Sequence, residues 1–583
     1  MWENRALSNQ LNDMNIFNAV RETVIKCIAE VYPEVKDTSA VAVELPKDVA
    51  HGDVATNAAL ILKAQLGGNP SEIATILAQR LSQEPTFKKV ATAGPGFINI
   101  TLDEKIWDDL IKSVVSEGIH YGDNNLGHGT KVNIEYVSVN PTGVLHVGHA
   151  RAIYGDVLAR LLKKCGYNVT KEYYVNDAGG QINVLSASAF VRYKQALGMD
   201  DQVAEGMYPG DYLIPVGKTL ADKYGDKLLH MPEAERYEIV SEFTVSSMME
   251  LIKADLKEAG IEHEVFTSEK NDILKKNKIE QALQLLESKG LIYQGVLEPP
   301  KGKLPDDWEP REQTLFRATQ FGDDVDRPIR KSDGSHTYFA ADIAYHLDKI
   351  QRGFNDMVLV LGADHGGYVK RMKAVVAALS DGKATIDIKI IQLVNLFKDN
   401  KPFKMSKRAG TYITVHDVIE EVGKDVLRFV MLSRKNDTVF DFHFDKVLEQ
   451  SKDNPVFYVQ YAHARACSVL RMGKEQNIEP SANHLSSLSH EADLALIKKM
   501  AQYPKIIESA ALTHEPHRIT YYLTELANEF HSYWSKGNDN EDLRFIVAGN
   551  AALSSARLYL AQAIAATISS GLDIIGVKAV ERM

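Results

Sequence analysis

Between residues 131 and 175 the chain runs strand, turn, helix, strand, and this restricts its fold more than any other feature. Lys131 to Val139 reads as a buried strand, and Asn140-Pro141-Thr142-Gly143 breaks it. A helix is expected from about Val147 to Cys165, with Ile153, Val157, Leu158, Leu161 and Leu162 as its apolar stripe and Gly166 as its stop. Asn168 to Val175 reads as a second strand, leading through Asn176-Asp177-Ala178-Gly179-Gly180 into another helix. Asp356 to Gly362 and Ile386 to Leu393 repeat the strand signal around a helix from Tyr368 to Leu379. Strands alternating with helices build a parallel, doubly wound α/β sheet of the Rossmann type.

The flanks read differently. Helical spacing at Ile16 to Val31 and Thr56 to Leu66, followed by Ala93-Gly94-Pro95-Gly96 turning into an alternating strand, reads as a small α/β domain over residues 1–115. The Gly- and Asn-rich run Tyr121 to Gly129 reads as a linker. Residues 181–330 are expected to be mostly helical, with an irregular portion near Pro299 to Pro310. From Thr414 the pattern is helices only, including Phe457, Tyr461, Ala464 and Val469 near one helical face and an alanine-rich helix from Ala552 to Ile568. The expected division is 1–115, a doubly wound domain with helical insertions over 116–435, and an all-α domain over 436–583.

Composition narrows the class. With 45% hydrophobic and 25% charged residues in 583, the chain has the balance of a globular protein of two or more domains. No run approaches the roughly 18 consecutive apolar residues that span a bilayer, and Met1-Trp2-Glu3-Asn4-Arg5 does not begin a signal peptide, so a cytoplasmic protein with no membrane partner is expected. Cys27, Cys165 and Cys467 form no C-x-x-C pair; each is read as a small core residue rather than a disulfide or zinc ligand. The net charge of −11 argues against a polyanionic ligand when taken over the whole chain. From Ser451 onward, however, 13 Lys and Arg face 14 Asp and Glu, which leaves the C-terminal part freer to meet one.

Two short runs carry chemistry. His146 and His149 stand three apart where a strand turns into a helix N-terminus, a place whose free N–H groups favour an anion and where two imidazoles add directional donors for a triphosphate. Gly148 between them leaves room for a base or ribose to approach. A zinc pair or two surface histidines are the alternative readings, although no third metal ligand stands at suitable spacing. In Phe403-Lys404-Met405-Ser406-Lys407-Arg408-Ala409-Gly410, Lys404 and Lys407 suit a loop that follows charge as pyrophosphate leaves, and a solvated basic loop is the alternative.

Together, in this order, His146-Val147-Gly148-His149 and Lys404-Met405-Ser406-Lys407-Arg408 resemble the two signature sequences of class I aminoacyl-tRNA synthetases. Longer runs resemble the bacterial-type arginyl-tRNA synthetases in particular. They include Gly52-Asp53-Val54-Ala55-Thr56-Asn57, Asn140-Pro141-Thr142-Gly143, Asn176 to Gln181, Tyr208-Pro209-Gly210-Asp211-Tyr212, Tyr338 to His346, Gly362-Ala363-Asp364-His365, Phe457 to Arg465 and Glu581-Arg582-Met583. The resemblance therefore covers essentially the whole chain. It implies an N-terminal domain that contacts tRNA, a Rossmann catalytic domain and an α-helical anticodon-binding domain.

The resemblance also implies a reaction: arginine is joined to tRNA(Arg) through an arginyl-adenylate, with ATP as the magnesium complex, no structural zinc, and a monomeric chain. Members of the family need the cognate tRNA to activate arginine. ATP would be held by His146, Gly148, His149, Lys404, Met405, Ser406 and Lys407, with His146, His149, Lys404 and Lys407 serving catalysis. A planar guanidinium with five donors asks for an aligned carboxylate. Tyr338 and Asp342, four apart on a helix, face one side. By resemblance Asp342 takes the guanidinium, Tyr338 shapes the pocket and Asn140 holds the α-amino or carboxylate end; without it, Tyr338 and Asp342 read as an ordinary surface pair. Asp364 and His365 stand near this set with no role assigned, and Tyr458 and Tyr461 suit either tRNA stacking or the core. Many relatives with a degenerate lysine loop carry a compensating lysine before the first histidine. Here that stretch is Thr142-Gly143-Val144-Leu145, which leaves the charge to Lys404 and Lys407.

Overall fold

A computed structural model describes residues 15–46, 48, 51–297, 311–399, 401–402, 413–449 and 454–583. The lysine run from Phe403 to Gly410, the Pro299 to Pro310 portion and the Met1 to Arg5 start lie outside the described residues. The chain divides into two compact units, Gly127–Glu449 and Met1–Leu126 with Gln450–Met583.

The Gly127–Glu449 unit is built on a five-stranded parallel sheet. In chain order its elements are β1 (Lys131–Glu135), α1 (Ile153–Lys164), β2 (Asn168–Val175), α2 (Gly180–Ala196), β3 (Val265–Ser268), α3 (Tyr338–Gln351), β4 (Asp356–Gly362), α4 (Tyr368–Ser380) and β5 (Thr385–Ile391). The strands lie in the order β5-β4-β1-β2-β3, every pairing parallel. The chain leaves β1 toward β2 and β3 on one side, and β4 and β5 fill the other. The β1/β4 boundary is thus a topological switch point, where crevices open at the carboxyl ends of strands. The expected stripe of α1 is buried throughout, and Gly155 within it is required: a Cβ there would stand 2.3 Å from the Tyr136 ring just beyond β1. Phe339, Ile343, Met357, Leu359, Met372, Val375 and Ile386 form the core between α3, α4 and the sheet.

Several expectations change in this unit. The mostly helical reading of 181–330 fails near its end: among the described residues, Ile292–Val296, Glu312–Phe316 and Arg327–Arg330 form a three-stranded antiparallel sheet. The helical reading ended too late because these strands are short and polar on one face. The helices-only pattern expected from Thr414 is interrupted by the strand Phe440–His443, which pairs in parallel with Val394–Lys398. That pairing holds residues 436–449 in this unit, beyond the expected boundary at 435. β1 is also shorter than the expected strand. After Glu135 the backbone enters the left-handed region at Val137 (φ +68°) and Ser138 (φ +42°), an unfavourable conformation for a β-branched side chain.

In the other unit, the four-stranded antiparallel sheet of Val43–Glu44, Val54–Thr56, Phe97–Leu102 and Phe87–Ala93 carries helices Ile16–Val31, Ala58–Leu66 and Pro70–Leu81. Helix Glu104–Glu117 packs on Ala551–Ile575, the longest helix of the C-terminal bundle after Glu233–Glu258 is set aside with the other unit. By length and composition Ala551–Ile575 suffices to cross a membrane, contrary to the expectation that no stretch does. It is 72% buried over its most apolar window, so its apolar face is spent on the core of the bundle. Tyr121, expected in a linker, is fully buried, its hydroxyl donating to the Met500 carbonyl at 2.9 Å. On helix Pro455–Glu475 the buried residues include Val456, Val459, Ala462, Ala464, Ala466 and Val469, whereas Phe457 is half-buried and Tyr461 exposed, so the four residues read near one helical face divide, Ala464 and Val469 facing the core. Cys27 and Cys165 are buried; Cys467 is only half-buried.

Candidate active site

The left-handed step at Val137 and Ser138 is held on three sides. The Ser138 hydroxyl donates to Glu135 at 3.1 Å, Tyr174 N–H donates to that hydroxyl at 3.0 Å, and the Tyr173 hydroxyl donates to Val139 O at 2.7 Å. The bend delivers Asn140 to a cavity of roughly 520 Å³ at the carboxyl ends of β1, β2 and β4. There Asn140 donates to Gln181 Oε1 at 2.7 Å and accepts from Asn176 Nδ2 at 3.0 Å, so the amide is oriented by neighbours from α2 and the loop after β2. The turn that follows is clamped by Tyr212, whose hydroxyl donates to Thr142 O at 2.7 Å and lies where a Cβ on Gly143 would crowd it.

Tyr338 and Asp342 both line this cavity, from the first and second turns of α3. Tyr338 is the open wall, 76% exposed, and Asp342 is partly covered. His365 lines the cavity as well, 3.6 Å from the exposed Asp364 carboxylate. Sequence reasoning missed two carboxylates, Glu135 and Glu269, that the fold brings to the same wall. Glu135 pairs with the buried Lys349 at 2.6 Å. Among the described residues neither Asp342 nor Glu269 makes an ion pair. Burial, with Glu135 and Glu269 nearby, pushes the Asp342 carboxyl up to about 7. Burial, with Asp177 nearby, pushes Glu269 up to about 6. Both carboxyls line the one cavity, and a cation bound there would favour their ionised forms. The signal for Glu269 in the sequence is the Thr267-Ser268-Glu269 run at the end of β3, the strand position that faces such a crevice.

His146 and His149 flank the start of a short 3₁₀ helix, Val147–Ala152, which runs on into α1. The expected α-helical N-terminus with free amides is not what forms. Val147 N–H donates to Ile413 O at 3.0 Å, and His149 N–H to His146 O at 2.8 Å, so those amides are already used. Val415 N–H returns to Leu145 O at 2.9 Å, and His146 and Thr414 form an antiparallel bridge. Ile413 to Val415 are thus hydrogen-bonded to the histidine turn. Gly148 leaves space for the His146 ring itself, since a Cβ there would stand 2.9 Å from His146 Cε1. Lys404, Met405, Ser406 and Lys407 lie outside the described residues.

The model of the class I (R) tRNA synthetase catalytic domain matches residues 110–450, that of the arginyl-tRNA synthetase N-terminal domain 18–102, and that of the DALR anticodon-binding domain 459–583. The chain belongs to the class I arginyl-tRNA synthetases. Within that family it is 53% identical to the arginine–tRNA ligase of Ruegeria pomeroyi and 54% identical to that of Cereibacter sphaeroides, each over 98% of this chain and 100% of the relative. The arginyl-tRNA synthetase structure of Thermus thermophilus shares the fold with a TM-score of 0.74 at 21% identity, covering 97% of this chain and 100% of that one. Membership accounts for the order of parts: family N-terminal domain, parallel-sheet catalytic domain, helical C-terminal domain.

Proposed function

We propose that this family member joins arginine to tRNA(Arg) in two steps, and that the cavity at the β1/β4 switch point is its arginine site. The observation that carries the reading is the pair Asp342 and Glu269, two carboxylates that make no ion pair among the described residues, in a cavity sized for an amino acid. A guanidinium there would give each a counter-ion and spread its five N–H donors over both. Asn140, its amide oriented by Gln181 and Asn176, would meet the α-amino or carboxylate end, and Tyr338 would close the open wall.

In the first step an oxygen of the arginine carboxylate attacks the α-phosphorus of ATP, a C–O–P bond forms, the bond to the β-phosphate breaks and pyrophosphate leaves. In the second, a hydroxyl of the 3′-terminal ribose of tRNA attacks the activated carbonyl, and AMP leaves with the bonding pair. Both steps need positioning and charge stabilisation rather than a covalent enzyme intermediate. His146, Gly148 and His149 would hold the nucleotide, with Lys404, Met405, Ser406 and Lys407 completing its site and the two lysines meeting the charge of departing pyrophosphate. Magnesium would arrive with ATP, held by phosphates and water. The chain would act as a monomer in the cytoplasm.

Charging of a total tRNA pool with each amino acid in turn tests the reading. Only arginine should be attached, and ATP–pyrophosphate exchange should depend on arginine and on the presence of tRNA(Arg). Attachment of another amino acid in place of arginine rejects it.

A further inference from the structure

The helix turn that carries the histidines holds a third basic residue in a different setting. Arg151 is 2% exposed, and among the described residues its guanidinium makes no ion pair. It donates to three main-chain carbonyls, from Nη1 to Gln392 O and Thr438 O, both at 2.9 Å, and from Nη2 to Lys435 O at 3.0 Å. Those acceptors come from two segments far apart in the chain. Gln392 lies between β5 and the strand Val394–Lys398; Lys435 and Thr438 precede the strand Phe440–His443 that pairs with it. The segments are also tied to each other, Asn436 Nδ2 donating to Ile390 O and Gln392 N–H to Asn436 O, each at 2.9 Å.

Burying a cation against neutral acceptors is unfavourable relative to an apolar side chain of equal volume. Burial pulls the Arg151 guanidinium down to about 10, which still leaves it charged at neutral pH. Filling space would not require this arrangement. What a guanidinium supplies is a rigid planar fork of N–H groups, and three acceptors on two tied segments fix the rotation of the 3₁₀ helix Val147–Ala152 about its axis. His149 stands two residues away on that helix. The other flank of the turn is fixed by the backbone bonds to Ile413 and Val415 and by Asp255, whose carboxylate accepts Leu145 N–H at 3.0 Å.

We propose that Arg151 is a positioning residue that acts through His149, holding its imidazole in the orientation that meets the nucleotide phosphates. The proposal rests on the reading of His149 as a phosphate donor. It places the reason for a buried, carbonyl-bound arginine in the adenylation step rather than in stability.

The test uses single-turnover arginyl-adenylate formation by the full chain, with saturating ATP and tRNA(Arg) present. Arg151→Lys keeps the charge and loses the fork, and should slow this step about tenfold; Arg151→Gln should slow it about a hundredfold, with the arginine KM within about twofold of the original. In a His149→Ala background Arg151→Lys should change the rate by less than about twofold, because the group it acts through is gone. Thermal melting reports folding, and Arg151→Lys carries the test should Arg151→Gln fail to fold. A further tenfold loss in the His149→Ala background, or a rise in arginine KM at an unchanged rate, overturns the proposal. An unchanged rate for His149→Ala alone overturns the phosphate-donor reading, and this one with it.

Discussion

The main-chain N–H of His146 donates to Nδ1 of His149 at 3.2 Å, and the two rings stack with centroids 3.6 Å apart. A nitrogen that accepts this bond carries no proton, so neutral His149 holds its proton on Nε2 and has a donor on the far side of the ring. The capping bond thus sets the tautomer. It also explains why the spacing is three: only the residue at the third helical position reaches back to the amide of the capping residue.

Gly148 is held to glycine by that stacked pair. Gly148→Ala places a methyl carbon against the His146 imidazole and should tilt it out of the stack. Adenylate formation is expected to fall by about 2 kcal/mol of transition-state stabilisation, in line with the partial loss of one preorganised donor. Melting temperature should stay within a few degrees. Rapid-quench measurement at saturating arginine checks this.

Asp342→Asn leaves the cavity neutral at its α3 wall while keeping its shape. The arginine KM should rise about a hundredfold, since an unmatched group in a buried charge pair costs 2 kcal/mol or more. Glu269→Gln should act in the same direction. Both variants should narrow the discrimination between arginine and citrulline, its uncharged ureido analogue, and competition assays read that ratio directly.

The pH dependence of arginine binding follows from the same pair. In the unliganded protein Asp342 and Glu269 are raised to about 7 and about 6, so at pH 6 a bound cation must displace protons. Arginine affinity should therefore increase as pH rises through this window and level off about one unit above it. Calorimetry at pH 6 in two buffers of different ionisation enthalpy should register proton release that vanishes at high pH. For stability the sign is opposite. Carboxyls raised above their unfolded values favour the folded state at low pH, and that contribution is lost as pH climbs toward their folded values. The gain in melting temperature from added arginine should accordingly grow with pH.

Lys404→Ala should remove about 2.7–4 kcal/mol of transition-state stabilisation, the scale of one preorganised donor at developing charge. Thr142-Gly143-Val144-Leu145 holds no lysine to compensate for its loss. An unchanged single-turnover rate would rule out this role.

The features legible in the chain alone are local. The alternation of strand and helix from Lys131 to Leu393 suffices for a parallel sheet, because periodicity and turn residues act within a few positions of each other. Tyr338 and Asp342 share a cavity wall because they are one helical turn apart. Whatever depends on distant pairings emerges with the folded molecule. Glu269 joins Asp342 because β3 ends and α3 begins at one crevice, and the segment from Ile413 to Val415 reaches the histidines through backbone bonds that no side-chain pattern announces. The same holds for the strand Phe440–His443: four residues with one paired neighbour carry too little periodicity to stand out until Val394–Lys398 lies alongside. Nothing local in the sequence marks Arg151 for burial, because the carbonyls that hold it lie more than 240 positions away.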